Sequence, residues 1–396
     1  MINKKMQALG AKRSVIRELF EYGKIRKAEI GEENVFDFSL GNPSVPSPKE
    51  VNESLINLIN NESAISLHGY TSAQGDANVR QAVADFINKT QGTQFGKDDL
   101  YMTVGAAAAL TCSLTALVNE GEEVIVLAPY FPEYKVFIER FGGVCKEVLC
   151  DTVTFQPDFE RLQNAISDKT SAIIINSPNN PTGAVITEEN IIKLCNLLND
   201  AQKKYGKPIY IICDEPYREL VYGDVKVAYI PKYYKNAIVC YSFSKSLSIP
   251  GERIGYVLVP PYMDDAKAVY QAVCGAGRAL GYVCAPSLLQ KVIPYCLGKT
   301  ADVSVYDRNR ILLMEKLTEY GFTVVKPDGA FYLFLKSPVE DANEFCEKAK
   351  EFEIIFVPSD DFGCKGYVRI SYCVKTEQIE KALPAFEKLA MSYNLK

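Results

Sequence analysis

Between residues 101 and 259 the sequence alternates short β-branched runs with longer amphipathic stretches, and no other feature limits the possible folds so strongly. A strand that is apolar on both faces must be covered on both faces, which a mostly parallel sheet with helices packed above and below achieves. Strands are predicted at 101–104, 123–127, 146–149, 172–176, 209–213, 237–241 and 253–259. Helices are predicted at 107–118, 134–141, 158–165 and 188–204, the last with Thr187 placed to cap it. The connections are short enough for crossover units, so the fold class is α/β with a mostly parallel, seven-stranded sheet between helices.

After about Pro294 the pattern changes. A helical segment over 303–320 leads to FTVVKP and FYLFL, then a helix over 342–351, IIFVP, YVRISYC and a final helix. This reads as a smaller α+β unit. The first forty-odd residues are polar and helical to about Lys27, then reach FDFSLGNPSVPSP, whose prolines interrupt regular structure. They are expected to pack with the C-terminal unit. The expected division is a large domain over 48–294 and a small domain made from 1–47 and 295–396.

Composition removes several function classes. The 44 basic and 49 acidic residues leave a formal charge of -5 with no long block of either sign, so neither nucleic acid nor anionic membrane is an expected partner. The longest apolar runs fall far short of the roughly 18 residues a membrane span needs, and no secretory signal is recognisable. Twelve cysteines without a CxxC pair read as small buried hydrophobes of a cytoplasmic protein, with no metal site expected. A single histidine, His68, argues against a His-rich metal centre or a Ser/His hydrolase.

Three polar clusters follow three predicted strands: Ser177-Pro178-Asn179-Asn180-Pro181-Thr182-Gly183, Asp214-Glu215-Pro216-Tyr217, and Ser242-Phe243-Ser244-Lys245. In open α/β sheets, ligands gather outside the carboxyl ends of the strands, so the three clusters can converge. A lysine held on a rigid element in a partly apolar site has a lowered pKa and can form a Schiff base with a carbonyl. Taken alone, Lys245 reads as a solvated lysine, and Asn180 serves equally well as an Asx turn before Pro181. Gly105-Ala106-Ala107 follows a strand and opens a helix, where backbone N–H groups can face an anion.

The series YTSAQGDANVR, NNPTG, CDEPY, SFSKSLSIPGERIGY and YVRIS, in that order over essentially the whole chain, resembles the class I/II aminotransferase superfamily. These are pyridoxal phosphate enzymes of fold type I, and the likeness is to its aspartate aminotransferase-like members. The resemblance implies a cofactor, pyridoxal 5'-phosphate, and a homodimer whose active sites lie at the interface. It also implies transfer of an amino group between an L-amino acid and a 2-oxo acid, through aldimine and pyridoxamine phosphate intermediates.

Carried over residue by residue, it makes Lys245 the amine that holds the cofactor and shuttles the proton, and Asp214 the acid at the pyridine nitrogen. Tyr217 and Asn180 would bond the phenolic oxygen. Ser242, Arg253 and the Gly105-Ala106-Ala107 backbone would hold the phosphate, with Tyr70 reaching the phosphate of the neighbouring subunit. Phe131 stands where the family often has tryptophan flat against the ring; this chain has no tryptophan, so stacking survives without the indole donor. Arg369 would clamp the substrate α-carboxylate, with the Gly41 backbone beside it. Arg278 lies where dicarboxylate-specific members place an arginine from the partner subunit, although its offset from Pro286 differs. The same scaffold serves C–S β-lyases and decarboxylases, and a non-catalytic regulatory module is a further alternative.

Overall fold

The computed structural model describes residues 2–11 and 14–395. Helices Lys4–Ala11 and Val15–Ile30 and the short strand β1 (Phe36–Asp37) precede a sheet of seven strands. These are β2 (Leu100–Thr103), β3 (Glu123–Ala128), β4 (Val144–Leu149), β5 (Thr170–Asn176), β6 (Tyr210–Asp214), β7 (Ala237–Ser242) and β8 (Gly255–Leu258). Their spatial order is β2-β8-β7-β6-β5-β3-β4, and β8 alone runs against its neighbours. The expected seven-stranded, mostly parallel sheet is therefore present.

The period-2 geometry of a strand explains why the sheet has two cores. Ile173, Ile175, Ile211, Cys213 and Val239 enter one apolar cluster; Ile174, Ile212, Ile238 and Cys240, on alternate positions, enter the other. Every residue of β5 and β7 is buried. Each fully buried isoleucine contributes on the order of 1.5–3 kcal/mol of apolar burial, so the central strands are anchored from both sides.

The helix Glu188–Tyr205 is capped by Thr187, whose side chain accepts from the Asn190 backbone N–H at 3.2 Å. Asp158 proves to be a cap, not a helical residue, accepting from Glu160 and Arg161 before Phe159–Ala165. Strand β8 starts two residues later than expected because Arg253 has φ 52°, a left-handed conformation that no strand can include. Pro294 does not end regular structure: it sits inside the helix Ser287–Cys296, two residues before its end.

A second sheet is built from β9 (Val324–Val325) and β10 (Tyr332–Lys336), with β11 (Ile354–Ile355) set apart, then β12 (Val357–Pro358) and β13 (Tyr367–Ser371). Its order is β12-β13-β10-β9, antiparallel throughout, while β11 pairs in parallel with β1. Phe38 and Val45 join the apolar cluster formed by residues from Ala301 to Ala390, so the N-terminal segment packs on the C-terminal unit.

The same cluster takes in Tyr217, Leu220 and Tyr222, which follow β6 of the large sheet. This segment is stitched to the small unit by hydrogen bonds from Ala330 N to Leu220 O at 2.8 Å and from Tyr222 N to Asp328 O at 3.1 Å. All twelve cysteines are unpaired and nine are buried. Among the described residues, no helix is long and apolar enough to cross a membrane.

The register of the large sheet sets the site. Asn176 lies opposite Asp214, and Asp214 opposite Cys240, so the ends of β5, β6 and β7 reach one level, with Ser242 two residues further on. Thr187→Ala should lower stability by about 1 kcal/mol, read as a lower denaturant midpoint with an unchanged slope; an unchanged midpoint would show that the cap is dispensable.

Candidate active site

At the carboxyl ends of β5, β6 and β7 a cavity of about 270 Å³ opens, and Gly41, Ala106, Ala107, Phe131, Asn180, Asp214, Tyr217, Ser242, Lys245, Arg253 and Arg369 line it. Eleven side chains or backbone segments singled out from separate parts of the sequence thus meet in one place.

Asp214 ends β6 and is almost completely buried, and burial pushes its carboxyl up to about 7. Two groups oppose that push at one oxygen: the Tyr134 hydroxyl donates to Oδ2, and Asn176 Nδ2 lies 3.3 Å from the same atom. Asn176 also donates to the Asp214 carbonyl at 2.9 Å and accepts from the Asn180 N–H at 2.8 Å. The other carboxylate oxygen, Oδ1, is buried without a hydrogen-bond partner. An unpaired buried acceptor in a cavity wall is a place for a ligand N–H, above all a cationic one.

Lys245 lies in the single turn Phe243–Ser246 that follows β7. Its Nζ donates to the Gly41 carbonyl at 2.7 Å and stands 5.3 Å from the Phe331 ring centroid. Burial, reinforced by the Arg253 and Arg369 charges, brings this amine down to about 8. It is therefore deprotonated to a useful extent near neutral pH, which a nucleophilic amine requires.

An anion cradle forms at the other end of the cavity. The helix Ala106–Leu117 starts at Gly105, so the first N–H groups of Ala106 and Ala107 and the positive end of the helix dipole face the site. Ser242 Oγ is 2.7 Å from Ser244 Oγ, which accepts from Arg253 Nη1 at 3.1 Å. Gly105 has φ 86°, and a Cβ there would fall 2.3 Å from Arg253 Nη2, so glycine is required for Arg253 to lie where it does.

Arg369, on β13, enters the cavity from the small unit and is fully enclosed. Nη1 donates to Asn180 Oδ1 at 3.0 Å and Nη2 to the Ser39 carbonyl at 2.6 Å, while Nε is buried without a partner. Burial pulls the pKa of this guanidinium below its ordinary value, a cost that an incoming carboxylate would relieve.

Three expected residues do not line the cavity: Gly105 lies just behind it, at the start of the helix Ala106–Leu117, and two others lie away from it. Tyr70 is 92% exposed on the loop before the helix Ala77–Gln91, and Arg278 is exposed near the end of the helix Ala266–Ala279. Sequence reasoning in turn missed Tyr134, Asn176, Ser244 and Tyr332. Tyr134 and Tyr332 are embedded in apolar runs and read as core aromatics; Asn176 was counted only as a strand end. Only Ser244, inside SFSK, carried a visible signal.

Residues 33–386 match the sequence model of the family described as aminotransferase class I and II. The chain is similar to the crystal structure of an amino transferase from Eubacterium rectale, 56% identical over 100% of this chain and 99% of that one, with a TM-score of 0.98. It is similar to the aspartate aminotransferase from Thermus thermophilus solved with maleate, 27% identical over 98% and 99% of the two chains, with a TM-score of 0.87. Among curated sequences it is similar to aromatic-amino-acid aminotransferase 2 of Thermococcus litoralis, 29% identical over 95% of each.

Two outcomes follow from the geometry. Gly105→Ala should weaken binding of pyridoxal phosphate about tenfold or more by displacing Arg253, with the far-ultraviolet circular dichroism unchanged; undiminished affinity would remove Arg253 from the cradle. The folded protein releases the Lys245 proton near pH 8, the unfolded chain near 10.5. Below pH 8 both states are protonated and the burial penalty is complete; between the two values stability rises with pH. Cofactor-free Lys245→Met should therefore be more stable than the parent near pH 7, by up to about 3 kcal/mol, and this advantage should shrink toward pH 10 in urea unfolding. A pH-independent difference would contradict the lowered pKa.

Proposed function

This chain belongs to the class I and II aminotransferases, and from that premise we propose how its residues divide the work. It is a pyridoxal-phosphate-dependent transferase that moves an amino group between an amino acid and a 2-oxo acid. The observation that carries the assignment of roles is that Lys245 and Asp214 line one cavity, with Asp214 Oδ1 lacking a partner.

The residues fit the cofactor. Asp214 Oδ1 would accept the ring N–H, and the hydrogen bonds from Tyr134 and Asn176 to Oδ2 favour the ionised carboxylate against the pull of burial. Ala106, Ala107, Ser242, Ser244 and Arg253 would form the phosphate cradle, and Phe131, in the same cavity wall, would stack on the ring. When bound, pyridoxal phosphate supplies an aldehyde that captures the amino group and an aromatic cation that accepts the electron pair left at the substrate Cα.

The remaining steps belong to the protein. Lys245 Nζ, largely buried and with a lowered pKa, would be the amine that holds the cofactor and, when free of it, the base that takes a proton from the substrate Cα. Tyr217 and Asn180 would donate to the phenolic oxygen. Arg369 orients the substrate through its α-carboxylate using the free Nε, with the Gly41 backbone beside it; this fixes which Cα bond faces the acceptor ring. Tyr70, nearly fully exposed, is suited to reach the phosphate site of a second copy, which supports a homodimer. The absence of disulfides among twelve cysteines supports a reducing compartment, the cytoplasm. We retain the division into domains at 48–294 and at 1–47 with 295–396, which the main apolar clusters support, although Cys296 packs with the large unit and Phe155 and Ala184 pack with Phe334 and Cys364 of the small one.

For the substrate side chain, the wall contributed by this chain is apolar: Ile16, Leu40 and Leu110. A cation for a second carboxylate must then come from outside the chain, and Arg278 of the partner subunit is the one we assign, which gives an aspartate-like or glutamate-like preference. The apolar wall itself favours a second reading, a neutral or aromatic donor. The relatives' activities named above are all amino transfers, which favours transfer over a C–S lyase or decarboxylase on the same residues.

With purified holoenzyme, adding an amino acid alone should bleach the visible band and release one 2-oxo acid per site, and adding a 2-oxo acid should restore it. Pyruvate and ammonia from cystathionine, with the band unchanged, would replace transfer by elimination. Lys245→Ala should lower turnover by about 10² to 10⁴-fold. Arg278→Ala should reduce kcat/KM for aspartate by about 10 to 100-fold while leaving a neutral donor within about 3-fold; equal losses on both would sink the dicarboxylate assignment.

A further inference from the structure

We propose that Tyr332 is a positioning residue: its hydroxyl donates to Tyr217 and so directs the Tyr217 proton into the cavity, toward the cofactor's phenolic oxygen. The proposal rests on the role given above to Tyr217 and concerns what aims that group.

Tyr332 opens β10 of the small unit, is 2% exposed, and lines the cavity. Its Oη stands 2.9 Å from Tyr217 Oη, the two rings meeting edge to face with centroids 5.8 Å apart. For both hydroxyls the hydrogen bond they share is the one the described residues provide. A bond between two phenols uses one of two protons. If Tyr217 donates, its proton points away from the cavity and the phenolic oxygen there receives nothing from it. If Tyr332 donates, the Tyr217 proton is free to enter the cavity.

The surroundings choose the second arrangement. The Arg369 guanidinium lies over the Tyr332 ring, 4.7 Å from its centroid, and a fixed positive charge makes the nearer phenol the stronger donor. Burial raises both phenols, and the opposing pull of Arg369 is the largest one at Tyr332 but a minor one at Tyr217. The hydroxyl whose ring lies under the cation donates to the other. Other charged or titratable groups facing the pair are Asp214 at the end of β6 and Cys373 just after β13; Lys245 approaches through Gly41.

The chain also reserves space for this hydroxyl. A Cβ at Gly41 would lie 2.1 Å from Tyr332 Oη, so the glycine whose carbonyl receives Lys245 is also the residue that lets Tyr332 reach Tyr217. The donor comes from the small unit and the acceptor from the large one, so Tyr217 is strengthened as a donor into the cavity only when the two units are apposed.

The test is a spectroscopic pH titration of the bound cofactor, read as the midpoint of its visible absorption change, in four proteins: parent, Tyr332→Phe, Tyr217→Phe and the double variant. Phenylalanine keeps the ring under Arg369, and the thermal unfolding midpoint of each cofactor-free variant checks its fold. Tyr217→Phe should raise the titration midpoint. Tyr332→Phe should raise it by about 0.5 to 1 pH unit, the size expected for one neutral hydrogen bond, and should add no further shift in the Tyr217→Phe background. A shift from Tyr217→Phe with none from Tyr332→Phe overturns the aiming role and leaves the Tyr217 assignment intact. No shift from Tyr217→Phe overturns both. Equal shifts from Tyr332→Phe in the two backgrounds would mean that it acts independently of Tyr217, and a lower unfolding midpoint with an unmoved titration would mean that the hydroxyl is only structural; either result refutes the proposal.

Discussion

A carboxylate enclosed at the end of the central strand is the constraint around which this molecule is arranged. Removing Asp214 from water disfavours its charge, and a neutral acid there could not hold a ring cation. The fold answers by satisfying one oxygen internally, through Tyr134 and Asn176, and leaving the other without a partner at the cavity wall. Asn176 can do this only because the parallel register of β5 and β6 sets it directly beside Asp214. The hydrophobic alternation that builds two cores on either side of the sheet thereby determines, one residue beyond its apolar run, the chemistry at its edge.

The cations complement this acid. Lys245, Arg253 and Arg369 share a cavity with a single carboxylate, and the two deeply set ones are held by carbonyl or amide oxygens instead of by counter-charges. Neutral acceptors satisfy geometry but do not cancel charge. A ligand carrying phosphate at one end and a carboxylate-bearing substrate at the other supplies what the protein lacks, so occupancy and folding are linked through electrostatics as well as contact.

Much of this was legible in the chain. The β-branched runs located all seven strands of the large sheet, and most clearly the central ones, because a strand buried on both faces leaves little freedom of composition. The clusters NNPTG, CDEPY and SFSK marked the ends that converge. What escaped notice did so for physical reasons. Tyr134 and Tyr332 use an aromatic body as core and a hydroxyl as function, so their surroundings in sequence are those of any buried tyrosine. Arg253 looked like the start of a strand because its left-handed backbone is imposed by the turn around it and not by its own side chain. Helices Lys49–Asn61, Ala77–Gln91 and Ala266–Ala279, not assigned from the sequence, lie outside the alternating pattern that identified the others.

The segment from Tyr217 to Tyr222 has its backbone on the large unit and its side chains in the core of the small one, tied to residues 328–330 by hydrogen bonds. Modularity in this protein is therefore only apparent. Neither half owns all the surface it needs to stay dry, and trimming the C-terminal portion would strip the cover from the tyrosine beside Asp214 as surely as it would remove Arg369. The two lobes share one patch of core, so the cavity wall at Tyr217 is built from both of them.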